Sequence, residues 1–278
     1  MLHNYLIHGN SLKVLEDIPD DSVQCVITSP PYWGLRNYQV EEQIGLEERL
    51  EDYIENIIQV FEEIYRILKS DGTVWLNIGD VYTSGNRKYR AADKKNGSRK
   101  LLTRPKTPEG LKPKDLIGIP WRVALKLQEI GWYLRNDIIW HKPNAMPESV
   151  KDRPYRNHEY LFLFSKNEQY FFNNNGLVVG SKKIRSVWEI PSNSWEGTHS
   201  ATFPKELVIP CVKSSTKEGQ LVLDPFFGSG TVGCVCEELS RNYLAIELNR
   251  NFIDEALDRI KGNMRITAGR SFISLQCR

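Results

Sequence analysis

The chain has 278 residues, of which 40% are hydrophobic and 26% are charged, and its formal net charge is +2 at pH 7. This hydrophobic content is enough for a large buried core, but so mild a basic excess is common in proteins and does not by itself indicate a nucleic acid partner. No apolar run reaches the roughly 18 to 20 residues that a membrane-spanning helix needs, and we expect no signal peptide and no membrane association.

The first half of the chain alternates strand-like and helix-like segments. Val23–Thr28 is a β-branched apolar run that stops at Ser29-Pro30-Pro31, which predicts a buried parallel strand ending in a rigid loop. Apolar residues recur at helical spacing over residues 47–69. We expect Asp71-Gly72 to end this helix before a strand over residues 73–78.

The second half continues the alternation and ends in a strand, a glycine turn and a helix. This pattern predicts an α/β fold with a doubly wound, mostly parallel sheet in a single domain over residues 1–278. The predicted segments are a helix at 120–129, a strand at 132–140, an apolar stretch at 160–164, a strand at 221–223, a helix at 232–239, a strand at 243–246 and a helix at 252–260.

A basic insertion over residues 83–115 interrupts this rhythm. Between Arg87 and Lys114 there are eleven basic residues against only Asp93 and Glu109, with almost no apolar periodicity. A loop of this length is usually functional or disordered, and lysines or arginines near phosphates release counterions. We interpret the insertion as a polyanion contact, with a solvated flexible loop as the alternative.

The turn that follows the strand at 221–223 has the features of a ligand loop. Glycines 228 and 230 let the backbone approach a ligand closely, and the following helix presents unpaired amide groups. The third glycine of the dinucleotide fingerprint is absent, which disfavours a pyrophosphate ligand. Glu247, at the end of the next strand, could accept hydrogen bonds from both hydroxyls of a ribose, and Leu248 could face an adenine. A nucleoside site is predicted, with a purely structural turn as the alternative.

Two motifs in this order, residues 28–33 (TSPPYW) and 224–231 (DPFFGSGT), resemble the β-class amino DNA methyltransferases, which use S-adenosylmethionine. The resemblance covers nearly the whole chain and includes residues 136–144 (NDIIWHKPN) and 150–154 (VKDRP). It implies a Rossmann-like methyltransferase sheet in which the catalytic half precedes the cofactor half.

The resemblance implies a set of residues that bind S-adenosylmethionine. Asp224 would lie beside the methionine end of the cofactor, and residues 198–204 resemble the segment that completes the methionine pocket. Asn10 could contact the adenine, although a helix N-cap is at least as good an interpretation, and Asp224 could instead be a turn or capping residue. The implied set is Asn10, Thr202, Phe203, Asp224, Phe226, Gly228, Ser229, Gly230, Thr231, Glu247 and Leu248.

The implied catalytic residues are Ser29, Pro30, Pro31 and Tyr32. The amine of a base is a poor nucleophile, because its lone pair is delocalised into the ring. Acceptors that grip its hydrogens, here the Ser29 hydroxyl and the Pro30 carbonyl, favour attack and stabilise the developing positive charge. Tyr32 could stack on a base flipped out of the duplex. Serine at position 29 resembles the cytosine-N4 enzymes; adenine N6 remains the alternative, because those enzymes more often carry aspartate or asparagine there.

The resemblance also assigns residues to DNA and to the wall of the base pocket. Trp140 could line that pocket or be core, Arg153 could reach a phosphate or form a partly buried ion pair, and residues 158–160 (HEY) are interpreted as structural. The expected DNA-binding residues are Trp33, Arg87, Lys88, Arg90, Lys94, Lys95, Arg99, Lys100, Lys142, Asn144 and Arg153.

Other chemistries fit the sequence less well. Carbon-5 methylation of cytosine needs a cysteine nucleophile, and Cys211 lies in an apolar helix-like stretch that we interpret as core. The histidines and cysteines lack the spacing of a metal site. A catalytically silent DNA-binding protein and a nicotinamide-dependent oxidoreductase remain as alternatives of other classes.

We therefore predict a site-specific DNA (cytosine-N4) methyltransferase of a restriction-modification system. Its expected partner is double-stranded DNA, with a cognate restriction endonuclease as a further candidate, and its expected state is monomer or homodimer. The scattered, odd number of cysteines argues against a disulfide framework, so we expect a prokaryotic cytoplasmic, nucleoid-associated protein.

Overall fold

A computed structural model describes residues 4–84, 89, 100–101, 104–179, 182–192, 203–260 and 265–268. The strands of this part are β1 Tyr5–His8, β2 Val23–Thr28, β3 Leu68–Ile78, β4 Tyr133–His141, β5 His158–Ser165, β6 Val178–Val179, β7 Lys182–Lys183, β8 Val187–Glu189, β9 Leu221–Asp224, β10 Asn242–Glu247 and β11 Arg265–Ala268. The helices are α1 Ser11–Leu15, α2 Leu50–Ile67, α3 Ile119–Glu129, α4 Lys205–Ser215, α5 Thr231–Glu238 and α6 Arg250–Arg259.

Nine of these strands form one sheet in the order β11-β1-β10-β9-β2-β3-β5-β4-β8, and β6 and β7 form a small separate pair. All neighbours in the large sheet are parallel except β5, which is antiparallel to both β3 and β4. The prediction of a mostly parallel α/β sheet is confirmed. The carboxyl ends of the parallel strands meet at one edge, and β5 brings its first residues to that same edge.

Helices cover both faces of the sheet, so the fold is doubly wound. Side chains alternate between the faces along each strand. Val74 and Leu76 of β3 pack with α1, α2 and α3, whereas Trp75 between them packs on the other side with α4, α5 and α6. Each face therefore buries its own apolar layer, and the sheet edge is left for the loops. None of the described helices is both long enough and apolar enough to cross a membrane.

The boundary after α2 differs from the prediction. The helix ends at Ile67, and Asp71 and Gly72 lie inside β3 instead of terminating the helix. A Cβ on Gly72 would lie 2.6 Å from Leu68 Cγ and 3.0 Å from the Gln24 carbonyl oxygen. Glycine is thus required here for close packing against β2, where the pairing of β2 with β3 also shifts register, and this Asp-Gly pair does not mark a helix end.

The two ends of the basic insertion lie together. The Thr83 amide donates to the Asp115 carbonyl at 2.9 Å. Lys106 pairs with Glu48, and Lys114 pairs with Asp152 at 2.6 Å, so these two cations are matched by acidic residues of the protein itself. Lys100 is exposed. Six predicted DNA-binding residues of the insertion lie outside the described residues, namely Arg87, Lys88, Arg90, Lys94, Lys95 and Arg99.

Arg66 of α2 holds the loop after α1 against the helix. Its guanidinium donates to the carbonyl oxygens of Leu15 and Ile18, both at 2.8 Å, and pairs with Asp20 and Glu63. We predict that Arg66→Ala lowers the free energy of unfolding by about 2 kcal/mol, because two carbonyls lose a charged donor.

Urea denaturation checks this prediction, with Arg49→Ala as the matched control. Arg49 precedes the same helix, but its side chain is 68% exposed and lies 3.5 Å from Glu51, so its loss should change stability by less than about 0.5 kcal/mol. Equal effects of the two variants would contradict the assigned role of Arg66.

Candidate active site

A cleft of about 960 Å³ lies at the carboxyl edge of the sheet. Because β2 pairs directly with β9, the loop after β2 and the turn after β9 face each other, although nearly two hundred residues separate them in the chain. The predicted residues that line the cleft are Asn10, Ser29, Pro30, Pro31, Tyr32, Lys142, Arg153, Phe203, Phe226, Gly228, Ser229, Thr231, Glu247 and Leu248. Most of the residues predicted for the catalytic and cofactor sites thus border one continuous space.

A buried hydrogen bond joins the two motifs at the base of the cleft. The Thr28 hydroxyl donates to Asp224 Oδ1 at 2.8 Å, and the same oxygen accepts from the Phe226 amide at 3.1 Å. Both side chains are buried, and burial raises the pKa of Asp224 to about 7. Asp224 is not among the residues that line the cleft. Asp224 was predicted either to lie beside the cofactor or to be a turn residue, and its contacts are those of a turn residue.

The glycine turn is supported from behind, so that its backbone faces the cleft. Gly228 and Gly230 have φ angles of 53° and 84°, in the left-handed region that favours glycine. Arg259 of α6 donates to the Ser229 carbonyl at 2.8 Å and to the Ser229 hydroxyl at 2.6 Å. A Cβ on Gly230 would lie 3.0 Å from Ala256 Cβ. The turn is therefore closely packed on α6.

Glu247 places a carboxylate in the wall of the cleft. Its Oε2 accepts from the Gly228 amide at 2.7 Å, and its Oε1 accepts from the Asn249 amide at 2.8 Å. Burial raises the pKa of Glu247 to about 7, against the opposing effect of these backbone donors. The side chain can offer its remaining lone pairs to hydroxyl donors.

Of three other predicted cofactor residues, two border the cleft and one cannot be placed. Asn10 caps α1, where its Oδ1 accepts from the Leu12 amide at 3.0 Å and the Lys13 amide at 3.4 Å, and it also borders the cleft. The N-cap interpretation is confirmed, and the side chain remains beside the cavity. Phe203 lines the cleft, whereas Thr202 lies outside the described residues.

The Pro-Pro-Tyr loop is held by hydrogen bonds at both ends. The Tyr53 hydroxyl donates to the Pro31 carbonyl at 3.0 Å, and the Tyr32 hydroxyl donates to Glu159 Oε2 at 2.8 Å. Ser29 Oγ donates to the Tyr32 hydroxyl over a long 3.4 Å. A Cβ on Gly79 would lie 2.6 Å from the Tyr32 ring, so the absence of a side chain there makes room for the ring.

The prediction that Trp33 binds DNA is wrong. Its side chain is 2% exposed, packs in the core with α2, and donates from Nε1 to the Glu47 carbonyl at 2.9 Å. The loop turns directly after Tyr32, where the Gly34 amide bonds to the Gly45 carbonyl at 2.8 Å, and this turn directs the indole into the core.

Other predicted DNA residues have partners within the protein. Asn144 does not line the cleft: its amide group bonds to the backbone of Ser192 in both directions at 2.8 Å and ties two loops together. Arg153 pairs with Glu148 at 2.6 Å and lies 3.7 Å above the Tyr82 ring, which is the predicted ion-pair alternative. Trp140 is buried core and also borders the cleft.

Glu159, interpreted from the sequence as structural, is a cleft residue. It is the second residue of β5 and accepts hydrogen bonds from Tyr32, Asn77 and Lys142. Ligand residues in α/β folds usually follow the carboxyl ends of parallel strands. Because β5 is antiparallel, its first residues reach that edge instead. The charged residue at the start of an apolar strand was the only signal in the sequence.

The described residues contain no group of three or more histidine, cysteine and acidic side chains that could hold a metal ion. Cys211 is fully buried in α4, where burial raises the pKa of its thiol well above the usual value. Its prediction as core is confirmed.

The raised pKa of Asp224 makes the stability of the protein depend on pH. The folded-state pKa is about 7, against 3.8 for the free group. The neutral Asp224 side chain therefore contributes stability that is fully present below pH 3.8 and is lost as the pH rises through 7. Asp224→Asn removes this titration but keeps an oxygen for Thr28 and Phe226.

We predict that the free energy of unfolding of the wild type falls, relative to Asp224→Asn, by about 2 to 3 kcal/mol between pH 5 and pH 8. Urea denaturation at the two pH values measures this difference. Asp254→Asn, on the exposed side of α6, serves as the control. Parallel stability curves for the wild type and Asp224→Asn would contradict the prediction.

Comparison with known proteins gives close relatives. The chain is 55% identical over 262 residues to the type II methyltransferase M.Cfr9I of Citrobacter freundii. The matched region covers 92% of this chain and 87% of the relative. It is 49% identical over 262 residues to the type II methyltransferase M.SmaI of Serratia marcescens, and the match covers 92% of this chain and 90% of that relative.

Solved structures share the fold. The cytosine-N4-specific PvuII DNA methyltransferase matches with a TM-score of 0.72 and 21% identity, over 100% of this chain and 93% of that one. A putative DNA modification methylase of Thermus thermophilus, complexed with S-adenosyl-L-methionine, matches with a TM-score of 0.69 and 22% identity, over 96% and 99% of the two chains.

A family model described as DNA methylase, covering the N6 and N4 enzymes, matches residues 23–258. This range begins at β2 and ends in α6, so it contains both motifs and all the cleft residues named above except Asn10. The methyl donor of this family is S-adenosylmethionine. The chain belongs to the N6/N4 family of DNA methyltransferases.

Proposed function

We propose that the chain methylates the exocyclic N4 amine of a cytosine flipped out of double-stranded DNA, as the modification enzyme of a restriction-modification system. The observation that carries this proposal is the single cleft lined by Ser29 and Tyr32 on one side and by the glycine turn and Glu247 on the other. A methyl donor and an acceptor base must meet in one space for direct transfer, and this cleft is large enough for both.

The residues on the glycine-turn side fit S-adenosylmethionine. Glu247 offers carboxylate oxygens to the ribose hydroxyls, the backbone of Gly228 and Ser229 allows a close approach, and Phe226 and Leu248 supply apolar surface for the adenine. Asn10 borders the same region. When bound, the cofactor supplies an electrophilic methyl group on a sulfonium sulfur.

The residues on the other side are suited to activate an amine. Within the described part of the chain, Ser29 Oγ makes one side-chain hydrogen bond, the long 3.4 Å bond to the Tyr32 hydroxyl, so it is available to accept from a base amine. Together with the Pro30 carbonyl it would draw the amine hydrogens away from the ring plane and stabilise positive charge on nitrogen. The Tyr32 ring would stack on the flipped base, since extrusion from the duplex is needed to reach the amine.

Cytosine is favoured over adenine by the residue at position 29. Position 29 carries a small neutral serine, and the structural neighbour with a TM-score of 0.72 is a cytosine-N4-specific enzyme. The neighbour's identity of 21% shows the shared fold alone, so the choice of base rests on position 29. The curated relatives are type II methyltransferases, which supports a role beside a restriction endonuclease.

DNA would approach the open side of the cleft. Lys142 lines it, and Lys100 belongs to the basic insertion. We propose that the insertion, including its residues outside the described part, supplies phosphate contacts and much of the sequence recognition. We also propose that the enzyme works in a prokaryotic cytoplasm as a monomer or homodimer.

The product of the reaction tests the proposal. Incubation of unmodified DNA of mixed sequence with labelled S-adenosylmethionine, followed by digestion to nucleosides and mass analysis, should yield N4-methyldeoxycytidine. Recovery of N6-methyldeoxyadenosine would contradict the choice of base. Absence of any methylated nucleoside, with the cofactor bound, would favour the catalytically silent alternative.

Cofactor binding should depend on the ionisation of Glu247. With its pKa at about 7, the carboxylate is largely protonated at pH 6 and ionised at pH 8, and the ionised form accepts hydroxyl hydrogen bonds more strongly. We predict that affinity for S-adenosylhomocysteine rises several-fold from pH 6 to pH 8.

In Glu247→Gln the affinity should be about tenfold lower at pH 8 and should no longer change with pH, since one charged acceptor is lost. Isothermal titration calorimetry measures both quantities. The exposed Asp258→Asn variant should behave as the wild type. An affinity that is unchanged in Glu247→Gln would remove this residue from the cofactor site.

A further inference from the structure

Glu159 connects three parts of the base side of the cleft. Its Oε2 accepts from the Tyr32 hydroxyl at 2.8 Å and from Asn77 Nδ2 at 3.2 Å, and its Oε1 accepts from Lys142. Asn77 lies near the end of β3, and Lys142 directly follows β4. One carboxylate of β5 thus joins the Pro-Pro-Tyr loop to β3 and to the end of β4, the strands on either side of β5.

The network is shielded from water. The side chains of Lys142 and Glu159 are 18% and 20% exposed, and Lys142 Nζ lies 4.0 Å above the Trp140 ring. Burial tends to raise the pKa of Glu159, but the Lys142 charge and the donors from Tyr32 and Asn77 outweigh it, so the pKa is lowered. Glu159 therefore remains an ionised acceptor, and a hydrogen bond to an ionised group in such surroundings is stronger than one to a neutral group.

The Tyr32 phenol depends on this acceptor. Burial and the Glu159 charge raise its pKa well above the usual value, so the hydroxyl keeps its proton and donates it. A second acceptor among the described residues, Asn77 Oδ1, lies farther from this hydroxyl, at 3.4 Å. The bond to Glu159 is thus the short contact that orients the phenol, while the bare backbone at Gly79 lets the ring pack closely.

We propose that Glu159 is a positioning residue that fixes the Tyr32 ring as the platform for the flipped base. This inference rests on the proposed function. Glu159 acts through Tyr32 and touches neither the methyl donor nor the amine. A ring held in place before the base enters lowers the entropic cost of forming the stacked complex, and this advantage appears in the rate of methyl transfer.

A double-mutant cycle tests this role. Tyr32→Phe keeps the ring and removes the donor, whereas Glu159→Gln keeps the size and removes the charge. Each should lower the single-turnover rate of methyl transfer to unmodified DNA by roughly 10- to 100-fold, the range for losing a hydrogen bond to a charged group. If Glu159 acts through the phenol, the double variant should be about as slow as the slower single variant.

Three readouts separate positioning from a general structural role. The affinity of Glu159→Gln for S-adenosylhomocysteine should stay close to that of the wild type, while the transfer rate falls. Its melting temperature should drop, because Lys142 loses its counter-charge, so circular dichroism at the assay temperature checks that the variant is folded. The matched control is Glu168→Gln, which makes the same chemical change at an exposed residue after β5 and should leave the rate unchanged. A loss of cofactor affinity in proportion to the loss of rate would overturn the inference.

Other outcomes also overturn it. A transfer rate of Glu159→Gln within twofold of the wild type refutes the inference alone, as do single-variant effects that multiply in the double variant. A wild type that transfers no methyl group refutes the proposed function and this inference with it. Should Glu159→Gln fail to fold, Tyr32→Phe still decides the question, because an unchanged rate in that variant removes the role of the Tyr32 to Glu159 bond.

Discussion

The hydrogen bond between Thr28 and Asp224 is the contact on which the site depends. It joins the last residue of β2 to the last residue of β9, in a place where neither side chain is exposed to water. An unpaired buried carboxylate would be costly, so each residue stabilises the other's position. The Pro-Pro-Tyr loop and the glycine turn both begin directly after this bond. Their separation across the cleft is therefore set by the pairing of two adjacent strands.

The reversal of β5 is the second constraint. In a fully parallel sheet only the residues that follow the strands would reach the carboxyl edge, but the antiparallel β5 brings its own beginning there. Glu159, which is paired with Trp140 of the adjacent β4, thereby enters the cleft beside Asn77. The base side of the cleft gains a buried charge, and Lys142 balances it. Such a pair gives little net stability, since desolvation of the two charges offsets their attraction, but it orients the groups around it.

Burial distinguishes residues that the motifs alone treat alike. Tyr32 and Trp33 are neighbouring aromatic residues, yet one borders the cleft and the other is core. Asn144 and Arg153 carry groups that could bind DNA, but both are engaged by partners within the protein. The polar groups of a loop are often used to hold that loop in place. A polar residue near a site can therefore be assigned to a ligand only after its partners within the protein have been identified.

The sequence by itself determined the alternation of strands and helices, the family, and most residues of the cleft, because apolar periodicity and loop-forming prolines and glycines are local properties. Val23–Thr28 and the turn after β9 were recognisable in this way. Strand order, the direction of β5, the inward turn of Trp33 and the place of Glu159 were decided only by the tertiary structure. Each of these depends on which distant segment packs beside the residue, and no local pattern encodes that neighbour.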